Sequence, residues 1–246
     1  MDELTKSTLD QVLEDLEASR DTLQGFTRRQ RIAVLDHVLE LWLADDLSFK
    51  EACQATASAT GYASDAVETS LKRTLAAWRA PHLERVLSEA ESAPGNHHAP
   101  HLVAAILAQN TPGLAIPPVV LSLALGAPLL LKSAAGEPHL ARHFVAAIER
   151  SCPEFGQACK AVYWKGGTLD IEQQIADRAD RILVYGSHQT IDHWRNLAHQ
   201  RVLAQGPRVS VAILGNATSE AEIDALAEQI ALLDQHGCLS PQAILL

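Results

Sequence analysis

The sequence predicts an α/β protein in which a helical N-terminal region precedes a Rossmann-like, doubly wound and mostly parallel sheet. Up to about residue 92, apolar residues recur every three or four positions, the period of amphipathic helices. From His101 onward, short apolar runs of strand length alternate with helical segments, which is typical of parallel strands joined by crossover helices. Apolar residues make up 47% of the 246 residues, enough for a large buried core.

The predicted elements follow this division. The N-terminal region, residues 1–92, is expected to form helices over residues 8–23, 28–46, 48–61 and 64–91. A segment rich in Pro, Gly and His, residues 93–101, is the predicted linker. The α/β domain is predicted over residues 102–233, with strands at 102–109, 128–133, 161–165, 181–187, 200–205 and 209–215.

Composition excludes several classes of protein. The net charge of −10 argues against binding the phosphate backbone of nucleic acids as the main activity. None of the four cysteines forms a C-x-x-C pair, so we expect no metal site. The N-terminus is acidic and amphipathic rather than a secretory signal, so we expect a cytoplasmic protein with free thiols.

One uncharged stretch, residues 102–131, has the length of a membrane span, which needs ~20 apolar residues. It contains Gln109, Asn110 and several prolines and glycines, which divide it into a strand, a helix and a second strand. A βαβ unit buried on both faces also has a continuous apolar sequence. We therefore predict such a unit and no membrane span.

The turns after the first four predicted strands contain small and polar residues. Ligands of parallel sheets bind outside the carboxyl ends of the strands, so these turns are candidates for a site. Gly186 and Ser187 open a helix whose free N–H groups could hold a phosphate, and Gly166–Gly167 allows close approach to the backbone. Neither a GxGxxG nor a Walker motif is present. Four such turns at one sheet edge predict a nucleotide site.

Six motifs in order resemble the aldehyde dehydrogenase superfamily, and most closely the LuxC-type fatty acyl-CoA reductases of bacterial bioluminescence. They lie within residues 101–246 and read "QNTPG", "LLLKSAAGEP", "VYWKGG", "LVYGSHQTI", "GPRVSVAIL" and "DQHGCLSP". The resemblance implies transfer of an acyl group from a thioester to an enzyme cysteine, then reduction by NADPH to a fatty aldehyde. It implies a fatty acyl-CoA or acyl-protein substrate, with the fold of the aldehyde dehydrogenases.

The resemblance also implies that a catalytic lobe follows the last motif. Residues 234–246 are then expected to be the nucleophile segment and the start of this lobe, which the chain lacks in large part. A fragment, a split enzyme and a degenerate homologue all remain open. A protein partner that supplies the lobe, and an oligomer, are both compatible with the resemblance.

Cys238 is the candidate nucleophile. From the residues alone, a lone cysteine after glycine is a buried apolar side chain or a nucleophile, and no helix N-terminus precedes it to lower its pKa. The resemblance implies the nucleophile, and it implies that Asn110 and the Cys238 backbone N–H bind the thioester oxygen. The alternative for Asn110 is a turn residue before Pro112.

The resemblance assigns five residues to cofactor binding: Lys132, Ser133, Gly167, Gly186 and Ser187. A surface lysine at a strand end is the alternative for Lys132. NAD-preferring aldehyde dehydrogenases tend to carry Glu where this sequence has Ala135. A carboxylate there binds the ribose hydroxyls and repels a 2′-phosphate, so its absence favours NADPH.

Three positions depart from the related patterns. Ala204 and Gln205 stand where aldehyde dehydrogenases place a general-base glutamate, and Pro207 stands where LuxC-like sequences tend to have histidine. These departures weaken the hypothesis of an NAD-dependent aldehyde dehydrogenase and leave the general base unassigned. A non-catalytic nucleotide-binding or assembly module with the same fold is the other alternative.

Overall fold

The computed structural model describes residues 4–94, 98–215, 217–237 and 240–245. The N-terminal helices are α1 (Lys6–Gln24), α2 (Arg28–Ala44), α3 (Asp46–Thr60), α4 (Ser64–Ala77) and α5 (Ala80–Ser92). The following elements are β1 (Val103–Ile106), α6 (Ile116–Leu125), β2 (Leu129–Lys132), α7 (Leu140–Ser151), α8 (Pro153–Gln157), β3 (Cys159–Val162), α9 (Leu169–Arg178), β4 (Arg181–Tyr185) and α10 (His188–Ala198). The last are β5 (Val202–Gln205), β6 (Ser210–Ile213), α11 (Glu220–Ala231) and β7 (Pro241–Leu245).

The helix expected over residues 64–91 is two helices, so that expectation was wrong. Helix α4 ends at Ala77 and α5 begins at Ala80, with Pro81 in its first turn, because proline has no N–H to bond the carbonyl four residues earlier and its ring clashes with that carbonyl. The Asp36 carboxylate fixes this break. It accepts hydrogen bonds from Arg79 Nε at 2.6 Å and from the Ala80 backbone N–H at 2.8 Å.

The main sheet has five parallel strands in the order β3-β2-β1-β4-β5, which confirms the predicted doubly wound architecture. Ile106 is level with Lys132 on one side and with Val184 on the other, so the carboxyl ends of the central strands form one edge. The strand order reverses between β1 and β4. In open α/β sheets this switch point opens the crevice in which ligands bind.

Helices cover both faces of the sheet, and each face forms a buried core with the helices that lie on it. Alternate residues of β1 point to opposite faces: Val103 and Ala105 pack with α2–α7, whereas Ala104 and Ile106 pack with α1, α9 and α10. The N-terminal helices therefore lie against both faces. The division into residues 1–92, 93–101, 102–233 and 234–246 stays a prediction.

Two strands differ from their expected places. The strand expected at residues 161–165 lies at Cys159–Val162, so Tyr163, Trp164 and Lys165 follow it in the turn. Strand β6, expected at residues 209–215, lies outside the main sheet and pairs in parallel with β7.

The uncharged stretch 102–131 contains β1, α6 and most of β2, as the predicted βαβ unit requires. Among the described residues, no helix combines the length and the apolar character needed to cross a bilayer.

Candidate functional site

The turns that follow β1, β2, β3 and β4 meet at the carboxyl edge of the sheet. Register places the ends of β1, β2 and β3 side by side, at Ile106, Lys132 and Val162. The turn after β4 lies on the other side of β1, across the switch point. The edge therefore brings together Lys132, Ser133, Gly167, Gly186 and Ser187, the residues expected to bind the cofactor.

Lys132 is partly buried at the end of β2, near two aromatic rings. Its Nζ lies 5.7 Å from the ring centroid of Tyr163 and 5.5 Å from that of Trp164. Burial lowers the pKa of the Lys132 ammonium, and the negative charge of Glu172 opposes this shift. Among the described residues, no carboxylate lies within ion-pair distance of Nζ, which donates only to the Ser133 carbonyl at 3.4 Å. The ammonium is thus available to an anionic group.

Ser133 follows Lys132 and is fully buried. Its backbone N–H continues the sheet by donating to the Val162 carbonyl at 2.9 Å. Within the described parts of the chain its hydroxyl oxygen has no hydrogen-bond partner. A buried hydroxyl without a partner is unfavourable by about 1–3 kcal/mol, and a ligand that supplies one would remove this cost.

The Gly166–Gly167 turn after β3 faces open space. Gly167 has φ +87°, a conformation that favours glycine, and a Cβ built on either residue meets no atom within 4 Å. The turn is therefore shaped by backbone conformation and leaves room for a ligand to approach the main chain. The Gly167 N–H donates to Glu172 Oε1 at 3.0 Å.

Glu172 is a residue that the sequence reasoning missed. It lies in the first turn of α9, is 2% exposed, and also accepts a hydrogen bond from Trp164 Nε1 at 3.2 Å. Its other oxygen lies 2.7 Å from His193 Nε2 on α10. The only sequence signal was its position three residues before the buried Ile175, on the apolar side of the helix.

Ser187 is the N-cap of α10, and its hydroxyl accepts from the Thr190 N–H at 3.3 Å. A Cβ at Gly186 would lie 3.1 Å from Thr190 Cβ, so the turn favours glycine there. The Ser187 side chain is thus used for capping. The other N–H groups of the first turn and the positive end of the helix dipole follow the carboxyl end of β4 directly.

Asn110 connects the end of β1 to the segment that precedes Cys238. Its Nδ2 donates to the His236 carbonyl at 3.0 Å, and its own backbone carbonyl accepts from the Tyr62 hydroxyl at 3.1 Å. Burial, followed by the charge of Asp234, raises the pKa of the Tyr62 hydroxyl, so it remains a donor at neutral pH. Cys238 itself lies outside the described residues.

A cavity of about 300 Å³ lies beside this segment. It is bounded by α4, the turn after β1, the end of α11 and the residues on either side of Cys238 in the sequence. The residues that line it are Ser70, Arg73, Thr74, Thr111, Gln229, Leu232, Leu233, Gly237 and Ser240. Gly237 precedes Cys238 and Ser240 follows it closely, so a molecule in this cavity approaches the nucleophile segment.

The three described cysteines are free thiols. Burial raises the pKa of Cys53 to about 11 and that of Cys159 to about 12. Burial also raises the pKa of the partly exposed Cys152. Over residues 4–94, 98–215, 217–237 and 240–245, no group of three His, Cys, Asp or Glu side chains is arranged to hold a metal ion.

The sequence matches the family model for acyl-CoA reductase (LuxC) over residues 26–246. The chain belongs to this family. The predicted resemblance is thereby confirmed. No protein of curated function matches the sequence.

Solved structures of two dehydrogenases and of an NADP-dependent enzyme share the fold. Glyceraldehyde-3-phosphate dehydrogenase GapN from Methanocaldococcus jannaschii, complexed with NADP, is 13% identical with a TM-score of 0.78, covering 99% of this chain and 56% of that one. Salicylaldehyde dehydrogenase from Pseudomonas putida G7 is 15% identical with a TM-score of 0.78, and the match covers 98% of this chain and 53% of that one. An NADP-dependent enzyme from E. coli is 12% identical with a TM-score of 0.76, and the match covers 98% of this chain and 52% of that one. The chain spans about half the length of these proteins.

Proposed function

We propose that this chain carries the cofactor site and the nucleophile of an NADPH-dependent acyl-CoA reductase, which converts a fatty acyl thioester to a fatty aldehyde. The hydrogen bond from Asn110 Nδ2 to the His236 carbonyl carries this proposal. It brings a side-chain amide donor within two residues of Cys238, at the sheet edge that also holds Lys132 and Gly167. A nucleophile, an oxyanion donor and a nucleotide site are the parts that this reaction requires.

The residues at the sheet edge fit a nicotinamide dinucleotide. The fit rests on the unpartnered Ser133 hydroxyl, the open space at Gly166–Gly167 and the Lys132 ammonium without a carboxylate partner. When bound, the reduced nicotinamide supplies the hydride. The complex of GapN with NADP shows that a protein of this fold binds this cofactor, and it supports the proposal.

NADPH is favoured over NADH by the charges in the turn after β2. Ala135 is exposed there and offers no carboxylate to the ribose. The nearest acid in the turn, Glu137, is engaged: its Oε1 accepts from the N–H groups of His139 at 3.0 Å and Leu140 at 2.9 Å. A 2′-phosphate would therefore meet Lys132 without repulsion from a free carboxylate.

The reaction that we propose has two steps. The Cys238 thiolate attacks the acyl carbonyl of the thioester, forms a new carbon–sulfur bond and expels the coenzyme A thiolate, which takes a proton. A nicotinamide held by the turns that carry Lys132, Ser133 and Gly167 would supply a hydride to the acyl carbon. The carbon–sulfur bond to Cys238 would then break, and protonation of the sulfur would leave the aldehyde, the Cys238 thiol and oxidised cofactor. Asn110 would donate to the carbonyl oxygen during both steps, when that oxygen carries negative charge.

The cavity beside the nucleophile segment is the proposed route for the acyl thioester. It reaches Gly237 and Ser240, and Leu232 and Leu233 contribute apolar surface. Arg73 in its lining is paired with Glu228 on α11, so the charge of Arg73 is balanced.

The sheet formed by β6 and β7 is the proposed contact with the rest of a catalytic lobe. Its side chains Val211, Ile213, Ile244 and Leu245 are between 46% and 78% exposed. Exposed apolar strands favour pairing with a further strand or covering by another element. We propose that residues of a catalytic lobe, in the same or a second polypeptide, cover this sheet.

Intact mass spectrometry after mixing the chain with a long-chain acyl-CoA tests the proposal. We expect a mass increase of one acyl group, absent in Cys238→Ala, and loss of the adduct with formation of aldehyde when NADPH is added. If the chain binds NADPH but forms no adduct, even with a polypeptide that supplies the catalytic lobe, the non-catalytic nucleotide-binding module becomes the better account.

A further inference from the structure

The buried carboxylate of Glu172 connects the elements that carry the proposed cofactor-binding residues. Oε1 accepts from Trp164 Nε1 at 3.2 Å and from the Gly167 N–H at 3.0 Å, both in the turn after β3. Oε2 lies 2.7 Å from His193 Nε2 on α10, the helix that Ser187 caps. One side chain therefore joins the glycine turn to the helix on the other side of the switch point.

Lys132 at the end of β2 is linked to the same carboxylate. Its Nζ lies 5.5 Å from the centroid of the Trp164 ring, which Glu172 holds through the indole N–H. The charge of Glu172 also favours the protonated form of Lys132, against the effect of burial. The position of the indole beneath the ammonium thus depends on Glu172.

The environment of Glu172 explains why removing it would disturb the turn. A buried carboxylate is costly unless hydrogen bonds satisfy it, and here three donors converge on its two oxygens. Without it, the buried indole N–H of Trp164 would lose its acceptor, at a cost of about 1–3 kcal/mol. The Gly167 N–H would lose its acceptor as well, and the Gly166–Gly167 turn would be free to adopt other conformations.

We propose that Glu172 is a positioning residue that holds the Gly166–Gly167 turn and the Trp164 ring in the arrangement that receives the adenosine end of NADPH. This inference rests on the proposed function, because it requires the cofactor to bind at this sheet edge. Glu172 does not touch the cofactor; it acts through Trp164, Gly167 and His193.

Titration of the chain with NADPH and with 2′,5′-ADP tests the proposal. The nucleotide 2′,5′-ADP corresponds to the adenosine end of NADPH alone. A positioning effect at that end must therefore weaken the binding of both ligands alike. For Glu172→Ala we expect Kd for both to rise at least about tenfold, since rigid preorganisation of the turn is lost. For Glu172→Gln we expect Kd within about threefold of the unchanged chain, because the amide oxygen still accepts from Trp164 and Gly167.

Asp36→Ala is the matched control for a loss of stability alone. The Asp36 carboxylate also holds three donors, on Arg79 and Ala80, but it lies among the N-terminal helices. We expect this variant to lower Tm and to leave Kd for both ligands unchanged. If Glu172→Ala lowers Tm in the same way with unchanged Kd, Glu172 is only a structural residue and the inference is overturned.

The remaining outcomes are also decisive. If Glu172→Ala does not fold, His193→Ala takes its place: it frees Oε2, and we expect about a threefold rise in Kd for 2′,5′-ADP. An unchanged Kd in His193→Ala, or a Glu172→Gln variant as weak as Glu172→Ala, would overturn the hydrogen-bonding account. Failure of the unchanged chain to bind NADPH would instead contradict the proposed function, which separates the two.

Discussion

The side-chain amide of Asn110 donates a hydrogen bond to the backbone carbonyl of His236, 3.0 Å away, although 126 positions separate the two residues. The bond joins the carboxyl end of β1 to the segment that carries Cys238. An amide nitrogen has two hydrogens, and this bond uses one of them. The second remains for a substrate oxygen, which is the role proposed for Asn110.

Replacement of Asn110 by alanine should slow acyl transfer and leave cofactor binding intact. Loss of one oxyanion donor typically lowers the rate by about 10²–10³-fold. The hydrogen bonds of Asn110 within the described parts of the chain go to Tyr62 and His236 and not to a proposed cofactor residue. Rapid-quench mass spectrometry of the acyl adduct measures the rate. Tyr62→Phe, which removes only the bond to the Asn110 backbone, is the control and should change the rate far less. Equal rates in Asn110→Ala and the unchanged chain would refute the oxyanion role.

Thiol labelling should single out Cys238. Burial raises the pKa of Cys53 to about 11 and of Cys159 to about 12, so both stay protonated and inaccessible near neutral pH. Burial raises the pKa of Cys152 as well. We expect one rapidly alkylated thiol in the native chain, lost in Cys238→Ala, and NADPH binding retained in that variant. Rapid labelling that persists in Cys238→Ala would count against a reactive Cys238.

Ala135→Glu should shift the cofactor preference toward NADH. The new carboxylate would lie in the exposed turn after β2, where it could bind ribose hydroxyls and would repel a 2′-phosphate. We expect the ratio of the Kd for NADPH to the Kd for NADH to rise by about tenfold or more, a change of ~1.4 kcal/mol. Ala135→Gln, similar in size but uncharged, is the control. An unchanged ratio in Ala135→Glu would rule out the carboxylate argument.

Lys132→Met should weaken NADPH more than NADH, because the ammonium is the proposed partner of the 2′-phosphate. Lys50→Met, which removes an exposed lysine of α3 that is paired with Asp46, should leave both affinities unchanged. Burial lowers the pKa of Lys132, so its charge is lost as pH rises, beginning below the value of about 10.4 for an ordinary lysine. Binding titrations at increasing pH should show that the affinity for NADPH falls as the Lys132 ammonium loses its proton. Equal losses for both cofactors in Lys132→Met would contradict the assignment.

Sequence periodicity predicted the architecture because strand and helix periods are local properties. It misplaced β3, since Tyr163 and Trp164 favour strands by propensity, whereas here Trp164 turns inward to bond Glu172. Apart from its place on the apolar side of α9, Glu172 had no local signal that distinguished it from a solvated acid, and its partner His193 lies 21 positions away. The bond between Asn110 and His236 is likewise a tertiary contact. Candidate residues carried by one motif could therefore be proposed from the sequence, whereas the contacts between motifs could not be predicted.

Thermal unfolding of this chain with NADPH, with NADH and without a nucleotide tests the central claim most directly. The proposed cofactor site lies within the five-stranded sheet and its turns, all of which this chain contains. At equal concentration, a ligand that binds the folded state more tightly raises Tm further, so we expect NADPH to raise Tm more than NADH does. A cooperative transition that neither nucleotide shifts would contradict the account, and would mean that the fold persists without the site.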